Sequence, residues 1–210
     1  MNYVVLIADL VGSREVRARA QFQRRLKTIL QTASTRAGKA LASPYTLTLG
    51  DEFQAVYRDA TRVFADILGI QAQLAPVQAR FALGCGPLAT SINPTQAIGM
   101  DGPAFHRARA LLERLKRRER VLGVQTTDVG EWTLAGGALA VLSGLSSSWL
   151  PARFEVLAGM LNGLSNTEIA KKAEISLRAV NKNIRAADLD EWKLILNDIA
   201  RQLNEQIKAR

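Results

Sequence analysis

At 210 residues, with 48% hydrophobic and 22% charged side chains, the chain has an ordinary globular composition and the length of one large domain or two small ones. One cysteine, Cys85, and one histidine, His106, exclude internal disulfides and Cys/His zinc sites, so any metal has to be held mainly by oxygen. A net charge of +9 favours polyanionic partners. No apolar run approaches the roughly 20 residues of a membrane span, and the start Met1-Asn2-Tyr3-Val4 lacks a basic leader, so a cytoplasmic protein with no membrane partner is expected.

The apolar run Tyr3 to Ala8 predicts a first strand over about 3–9, ending on Asp9. Gly12, Ser13 and Arg14 follow at once and open a helix to about Ala37, with Ser13 as its cap and Phe22, Leu26, Ile29 and Leu30 as its inner stripe. The basic face of that helix, from Arg17 to Lys27, fits a solvated surface or a binding surface. Apolar residues alternate from Thr46 to Val56 on either side of Gly50-Asp51, which predicts two short strands joined by a two-residue hairpin turn with a carboxylate at its tip. Asp9 and Asp51, two strand-end acids beside a glycine-containing loop, suit a metal and nucleotide site.

Asp59 to Leu74 reads as a second helix with Val63, Phe64, Ile67 and Leu68 inward, and Pro76 ends it. Val77 to Gly84 is a further strand, continued by Gly84-Cys85-Gly86-Pro87-Leu88, where a backbone or ligand can approach closely. This strand, helix, strand, strand, helix, strand order is the split β-α-β, ferredoxin-like plan of an α/β (α+β) fold with an antiparallel sheet. From the turn at Ile98 to Pro103 a helix runs to about Arg120, with Phe105, Ala108, Leu111, Leu112 and Leu115 on one face. The cations Arg114, Lys116, Arg117, Arg118 and Arg120 fall at its C-terminus, where they complement the helix dipole. Val121 to Thr126 is the last predicted strand.

Beyond Asp128 the strand pattern stops. Glu131 to Gly144 suggests a helix, Ser146-Ser147-Ser148 a joint, and everything after Trp149 reads helical. Ser165-Asn166-Thr167-Glu168 is a capping box opening a short helix to Ala173, and Ser176 caps the next, Leu177 to Arg185. Ile169, Ile175, Val180 and Ile184 form a small core for what reads as a helix-turn-helix, although a plain helical hairpin without a DNA partner has the same local pattern. Arg178, Asn181, Lys182 and Arg185 point away from that core and are the side-chain types that reach base edges and phosphates of double-stranded DNA. A final helix from Asp190 to about Lys208 carries the stripe Trp192, Leu196, Ile199, Leu203.

The expected organisation is therefore a sheet domain over 1–128, a linker helix over 129–148 and an all-α helix-turn-helix domain over 149–210. Residues 1–148 hold 18 basic against 11 acidic side chains, and residues 149–210 hold 10 against 8. A helix-turn-helix this weakly cationic neutralises few phosphates alone, so a homodimer is implied.

Asp9-Leu10-Val11-Gly12-Ser13-Arg14, followed some forty residues later by Gly50-Asp51-Glu52-Phe53-Gln54, resembles the class III nucleotide cyclase arrangement. That resemblance implies Asp9 and Asp51 as ligands of a divalent metal, Mg or Mn, with Gly12 and Ser13 as the phosphate loop of a nucleotide ligand and Arg14 as a neighbouring phosphate contact. Together with Asp101-Gly102-Pro103-Ala104 and the C-terminal helices, nearly the whole chain resembles the SatD family. The departures lie at the chemistry: where such cyclases carry G-x-x-V-N-x-A-A-R, this sequence has His106 in the Asn place and Ala110 in the Arg place, with Arg107 and Arg109 out of register. His106 reads as a packed or capping residue. The helix-turn-helix resembles the LuxR or sigma-region-4 kind, with Glu174 where many members have Gly. The resulting expectation is a DNA-binding transcriptional regulator with a cyclase-like nucleotide- and metal-binding sensor domain. The alternative is a divergent metal-dependent nucleotidyl cyclase or phosphotransferase carrying a helix-turn-helix.

Overall fold

Val4 to Ala8 are each at most 1% exposed, so the first strand, β1 (Asn2–Leu10), is covered on both faces and has to be central. The computed structural model, which describes residues 1–12, 18–126 and 133–209, places it third in a five-stranded sheet. The predicted hairpin forms from β2 (Leu41–Leu49) and β3 (Glu52–Tyr57), with Gly50 in the left-handed region at φ 54°. β3 and β4 (Ala79–Pro87) flank β1 antiparallel, and β5 (Leu122–Gln125) joins β4 in parallel, giving the order β2-β3-β1-β4-β5. The first four strands follow the split β-α-β plan. An all-antiparallel sheet was expected and β5 corrects it: the chain crosses over through helix α3 (Pro103–Arg117) and re-enters the sheet in the direction of β4.

Alternation along β1 divides the core. Val4, Leu6, Ala8 and Leu10 face α1 (Arg19–Ala37) and α2 (Val63–Leu74), whereas Val5 and Ile7 face Phe105, Ala108 and Leu112 of α3. α3 rides directly on β4 because Gly84 carries no side chain; a Cβ there would lie 2.3 Å from the Ala104 carbonyl oxygen. The close approach expected at Gly84 is therefore by backbone. α1 is described from Arg19, after Ala18 at φ 54°. Ser13 and Arg14 lie outside the described residues.

The remaining helices are α4 (Thr133–Ser146), α5 (Pro151–Leu161), α6 (Asn166–Lys172), α7 (Leu177–Ala186) and α8 (Leu189–Lys208), which makes eight α-helices among the described residues. These C-terminal helices do not stand apart. α5 packs along α2, and α8 lies against β1 and β4, so Phe154, Leu157, Trp192, Leu196 and Leu203 belong to one apolar cluster with Leu6, Phe53 and Leu83. The Asn204 side chain accepts from the Ala60 N–H at 2.7 Å, and Asn2 donates to the Gln206 carbonyl at 2.9 Å. A separate all-α domain behind a linker is thus not what the packing shows. The Trp192, Leu196, Ile199 and Leu203 stripe is buried inside the chain and is not free to join two copies. No helix among the described residues is long and apolar enough to cross a membrane.

Candidate functional site

The carboxylate end of the sheet is built by strand parity. Asp9 follows Val5 and Ile7 onto the α3 face, and its register partners are Glu52 on β3 and Arg80 on β4. Two turns of α3 separate Arg109 from Lys116, so both reach down onto the same end. Lys116 Nζ lies 3.3 Å from Asp9 Oδ2 and Arg80 Nη1 3.8 Å from Asp9 Oδ1, while Arg109 forks onto both oxygens of Glu52, with Nη2 2.8 Å from Oε1. Asp51 caps the arrangement from the hairpin turn, where its carbonyl accepts from Leu10 N–H at 3.2 Å.

Burial raises the Asp9 pKa above the ordinary carboxylate value; Lys116 and then Arg80 pull it back, and the nearby Asp51 charge raises it again. The sheet therefore brings Asp9 and Asp51 to one end. Sequence reasoning missed Glu52, Arg80, Arg109 and Lys116 as members of the cluster. The seven-residue spacing of Arg109 and Lys116, off the Leu111, Leu112, Leu115 face, is the signal the sequence offers for it.

A divalent cation finds a partial fit here. Asp9 Oδ1 is buried without a hydrogen-bond donor, which is an open lone pair for a metal. The described residues contain no group of three or more side chains able to hold one, and Lys116 and Arg80 already place positive charge on Asp9. A metal therefore has to compete with Lys116.

Of the expected phosphate loop, Gly12 lies two residues beyond β1, exposed and at φ 66°. His106 is neither packed nor a cap: its side chain is exposed and Nε2 lies 2.8 Å from Asp101 Oδ1, because α3 turns its opposite face to the sheet. Arg107 donates to the Cys85 carbonyl at 2.8 Å.

The C-terminal candidate is α7. Ser165 Oγ accepts from Glu168 N–H at 3.3 Å while Glu168 accepts from Ser165 N–H at 2.8 Å, so the capping box is complete. Ser176 caps α7 through Ala179 N–H at 3.1 Å. Between them Glu174 itself takes the left-handed conformation, φ 54°, that glycine adopts more readily. Ile169 and Val180 are buried, and Ile175 and Ile184 are half-buried against the same cluster. Arg178, Lys182 and Arg185 form an exposed stripe down α7 and make no ion pair or hydrogen bond among the described residues. Asn181 is half-buried, its Oδ1 accepting from Asn166 Nδ2 at 3.0 Å.

A third polar group lies under α2. Tyr45 Oη is 2.6 Å from Tyr57 Oη, which donates to Asp66 Oδ2 at 2.9 Å, with Arg62 3.6 Å from the other oxygen. Burial raises the Asp66 pKa to about 6 in spite of the Tyr57 hydrogen bond and the charges of Arg62 and Arg36.

Fold and site together describe a mixed α/β protein with a five-stranded sheet, an ion-paired carboxylate cluster at one end and helices docked on the opposite face. The SatD family model matches residues 3–196, and the chain belongs to the SatD family. Comparison with curated proteins finds no match. Among solved structures, one of a bacterial light-regulated adenylyl cyclase is similar at 12% identity and a TM-score of 0.42, covering 59% of this chain and 43% of that one. Another structure of a bacterial light-regulated adenylyl cyclase is similar at 16% identity and a TM-score of 0.45, over 60% of this chain and 42% of that one. The chain thus spans less than half the length of either.

Proposed function

We propose that this SatD protein is a DNA-binding transcriptional regulator in which α6 and α7 act as a helix-turn-helix on double-stranded DNA. The observation that carries the reading is the exposed Arg178, Lys182, Arg185 stripe on a helix fixed by its own cap and by the buried Val180. Cations without an ion-pair or hydrogen-bond partner among the described residues suit phosphate contact, and Asn181, once released from Asn166, suits a base edge. A homodimer would present two such helices about 34 Å apart on successive major grooves.

In the same reading the carboxylate end is the sensor. Asp9 and Asp51 would hold Mg or Mn, with Gly12, Ser13 and Arg14 on the phosphates of a nucleotide. Such a cation, when bound, neutralises phosphate oxygens. The orphan Oδ1 of Asp9 supports this role. A second reading, a divergent metal-dependent nucleotidyl cyclase or phosphotransferase, draws on Arg109 and Lys116 at the same end, cations of the kind that stabilise charge developing on phosphorus. Their engagement with Glu52 and Asp9 ranks it second.

Fluorescence anisotropy of the full-length protein on labelled genomic fragments, repeated over a salt series, tests the DNA reading. Binding that weakens steeply with salt, and whose salt slope flattens by about one in Lys182→Ala, is the expected result. Absence of binding at low salt would refute it. Incubation with ATP or GTP and Mg or Mn, followed by chromatography, tests the enzymatic reading: a cyclic or linear product puts it first.

A further inference from the structure

One face of α4 turns Leu139, Leu142, Ser143 and Ser146 into the fold. At about 100° per residue the opposite face carries Leu134, Val141 and Leu145, which are 89%, 56% and 51% exposed, with Gly137, Ala138 and Gly144 between them. No charged residue occurs anywhere from Thr133 to Leu150, although 22% of the chain is charged. A single exposed leucine is ordinary on a protein surface; three large apolar side chains in line on one uncharged helix face mark an interaction surface.

The glycines of this face add a second observation. Glycine weakens a helix interior relative to alanine, and a neighbour that leaves no room for a Cβ is the usual reason to keep it. Gly159 in α5 has such a neighbour within the chain, since a Cβ there would lie 2.6 Å from Ile169 Cγ1. Gly137 has none: a Cβ there meets no atom within 4 Å, and at Gly144 the nearest atom is an Arg120 nitrogen at 3.5 Å. Packing inside the chain therefore explains neither. The order of large and small residues does, because the stripe fits a copy of itself. When two α4 helices run antiparallel about a two-fold axis at Val141, residues equally far from Val141 in opposite directions face each other. Val141 then meets Val141, Leu145 falls on Gly137, and Gly144 falls on Ala138.

We infer that α4 is the surface on which two copies of this chain pair, through an antiparallel, isologous helix contact with Val141 at its axis. Shape and charge choose the occupant. An identical stripe sets a small residue opposite Leu145, which an unrelated partner has no reason to do. Two copies of a +9 chain repel across most of their surfaces, and the uncharged stripe lets them meet without placing like charges together. The stripe of α8 is not an alternative, because Leu196, Ile199 and Leu203 are buried within the chain. At 14 residues α4 is about 21 Å long, so the contact is smaller than the roughly 800 Å² per partner of a standard interface and the pair is weak, in the micromolar range. This pairing supplies the joining surface that the DNA reading calls for, but it rests on the stripe and not on that reading.

Sedimentation velocity of the full-length protein without DNA, from about 2 to about 200 µM, tests it and should show a monomer–dimer equilibrium. Raising the salt should strengthen pairing by screening the net charge, the reverse of its effect on DNA binding. Val141→Glu sets two carboxylates together at the axis and should leave the protein monomeric throughout, with an unchanged melting temperature because the position is exposed. Mixed in equal amounts, Val141→Glu and Val141→Lys should recover the dimer, since opposite charges then face each other. Gly137→Gln, which fills the hole for Leu145 with a good helix former, should weaken pairing at least about tenfold, and it carries the test if Val141→Glu does not fold. A parent that stays monomeric at about 200 µM overturns the inference. So does a dimer that persists in these variants, which places the contact on another surface, or a charge-swapped mixture that remains monomeric. DNA binding by a protein that does not pair overturns this inference alone, and pairing by a protein that ignores DNA overturns only the DNA reading.

Discussion

The carboxylate end of the sheet and the outer face of α7 both gather basic side chains, but those side chains are held differently. Lys116 and Arg80 lie on Asp9, and Arg109 lies on Glu52, so the cations at the sheet end are already engaged by acids of the same chain. Arg178, Lys182 and Arg185 have no such partner among the described residues. Any ligand at the first surface therefore competes with existing ion pairs, whereas a polyanion at the second displaces only water and counterions. The first set of charges is engaged within the fold; the second is without an acidic partner among the described residues.

The largest expected effect follows from that difference. Reversing all three α7 charges, Arg178→Glu, Lys182→Glu and Arg185→Glu together, should lower DNA affinity at least about 100-fold by removing and then opposing phosphate contacts. Stability should change by no more than about 0.5 kcal/mol per site, as for surface positions without partners. A variant that binds DNA normally, or that melts far below the parent, breaks the comparison.

The Tyr45, Tyr57, Asp66 group supplies an intermediate case, a partnered charge that is also deeply buried. Because burial lifts the Asp66 pKa from 3.8 to about 6, the folded chain holds a proton there at pH values where the unfolded chain has released it. The stability this confers is complete below about pH 4 and is lost as the pH rises through about 6. Tyr57, Arg62 and Arg36 face the carboxyl and limit the shift. Asp66→Asn should therefore flatten the profile: relative to the parent, the change in unfolding free energy between pH 4 and pH 7.5 should shrink by about 2–3 kcal/mol. Parallel profiles for the two proteins, read from urea denaturation at several pH values, would show that Asp66 is not the titrating group.

Much of this architecture is legible in the sequence because local periodicity carries it. An apolar run predicts β1, alternation predicts the β2–β3 hairpin, and the 3.6-residue stripes predict α2, α3 and α8 to within a few residues. The approach of Asp9 and Asp51 is legible for a related reason, since the hairpin returns β3 beside β1 at the end where both acids sit. What is not legible is contact between elements distant in sequence. Nothing near Arg109 or Lys116 announces Glu52 or Asp9 as a partner, because the pairing depends on how α3 crosses the sheet. The docking of α5 on α2 is hidden likewise: an apolar helix face says that it will be buried, not against what. Glu174 shows the limit of residue-type reasoning, for the turn before α7 keeps a left-handed residue without a glycine.

Lys116→Met sharpens the comparison at the sheet end. Removing the ammonium frees Asp9 Oδ2 beside Oδ1, which accepts no hydrogen bond, and leaves Arg80 as the remaining cation on that carboxylate. If Asp9 and Asp51 hold a divalent cation in competition with Lys116, Mn affinity measured by titration should rise about tenfold, equivalent to about 1.4 kcal/mol. Unchanged or absent Mn binding in the variant would argue that the acids at this end serve the ion pairs alone.

The smallest effect is the most direct comparison, one arginine against another. Arg109→Ala removes a bidentate partner from Glu52, whose side chain is only 13% exposed, whereas Arg109 itself is 48% exposed. Water screens much of the pair, and Thr48 Oγ1 remains 3.3 Å from Glu52 Oε1 as a donor, so the loss should be about 1 kcal/mol and not the several expected of a fully buried pair. Arg178→Ala removes the same group from a surface where it touches no acid, and should fall within about 0.5 kcal/mol of the parent. Urea midpoints at matched pH and low salt give both numbers, and raising the salt should narrow the gap between them, because only the Arg109 pair has Coulomb energy to lose. Equal midpoints at low salt would mean that the fork on Glu52 contributes nothing to the fold. The carboxylate end would then be as open to ligands as the face of α7.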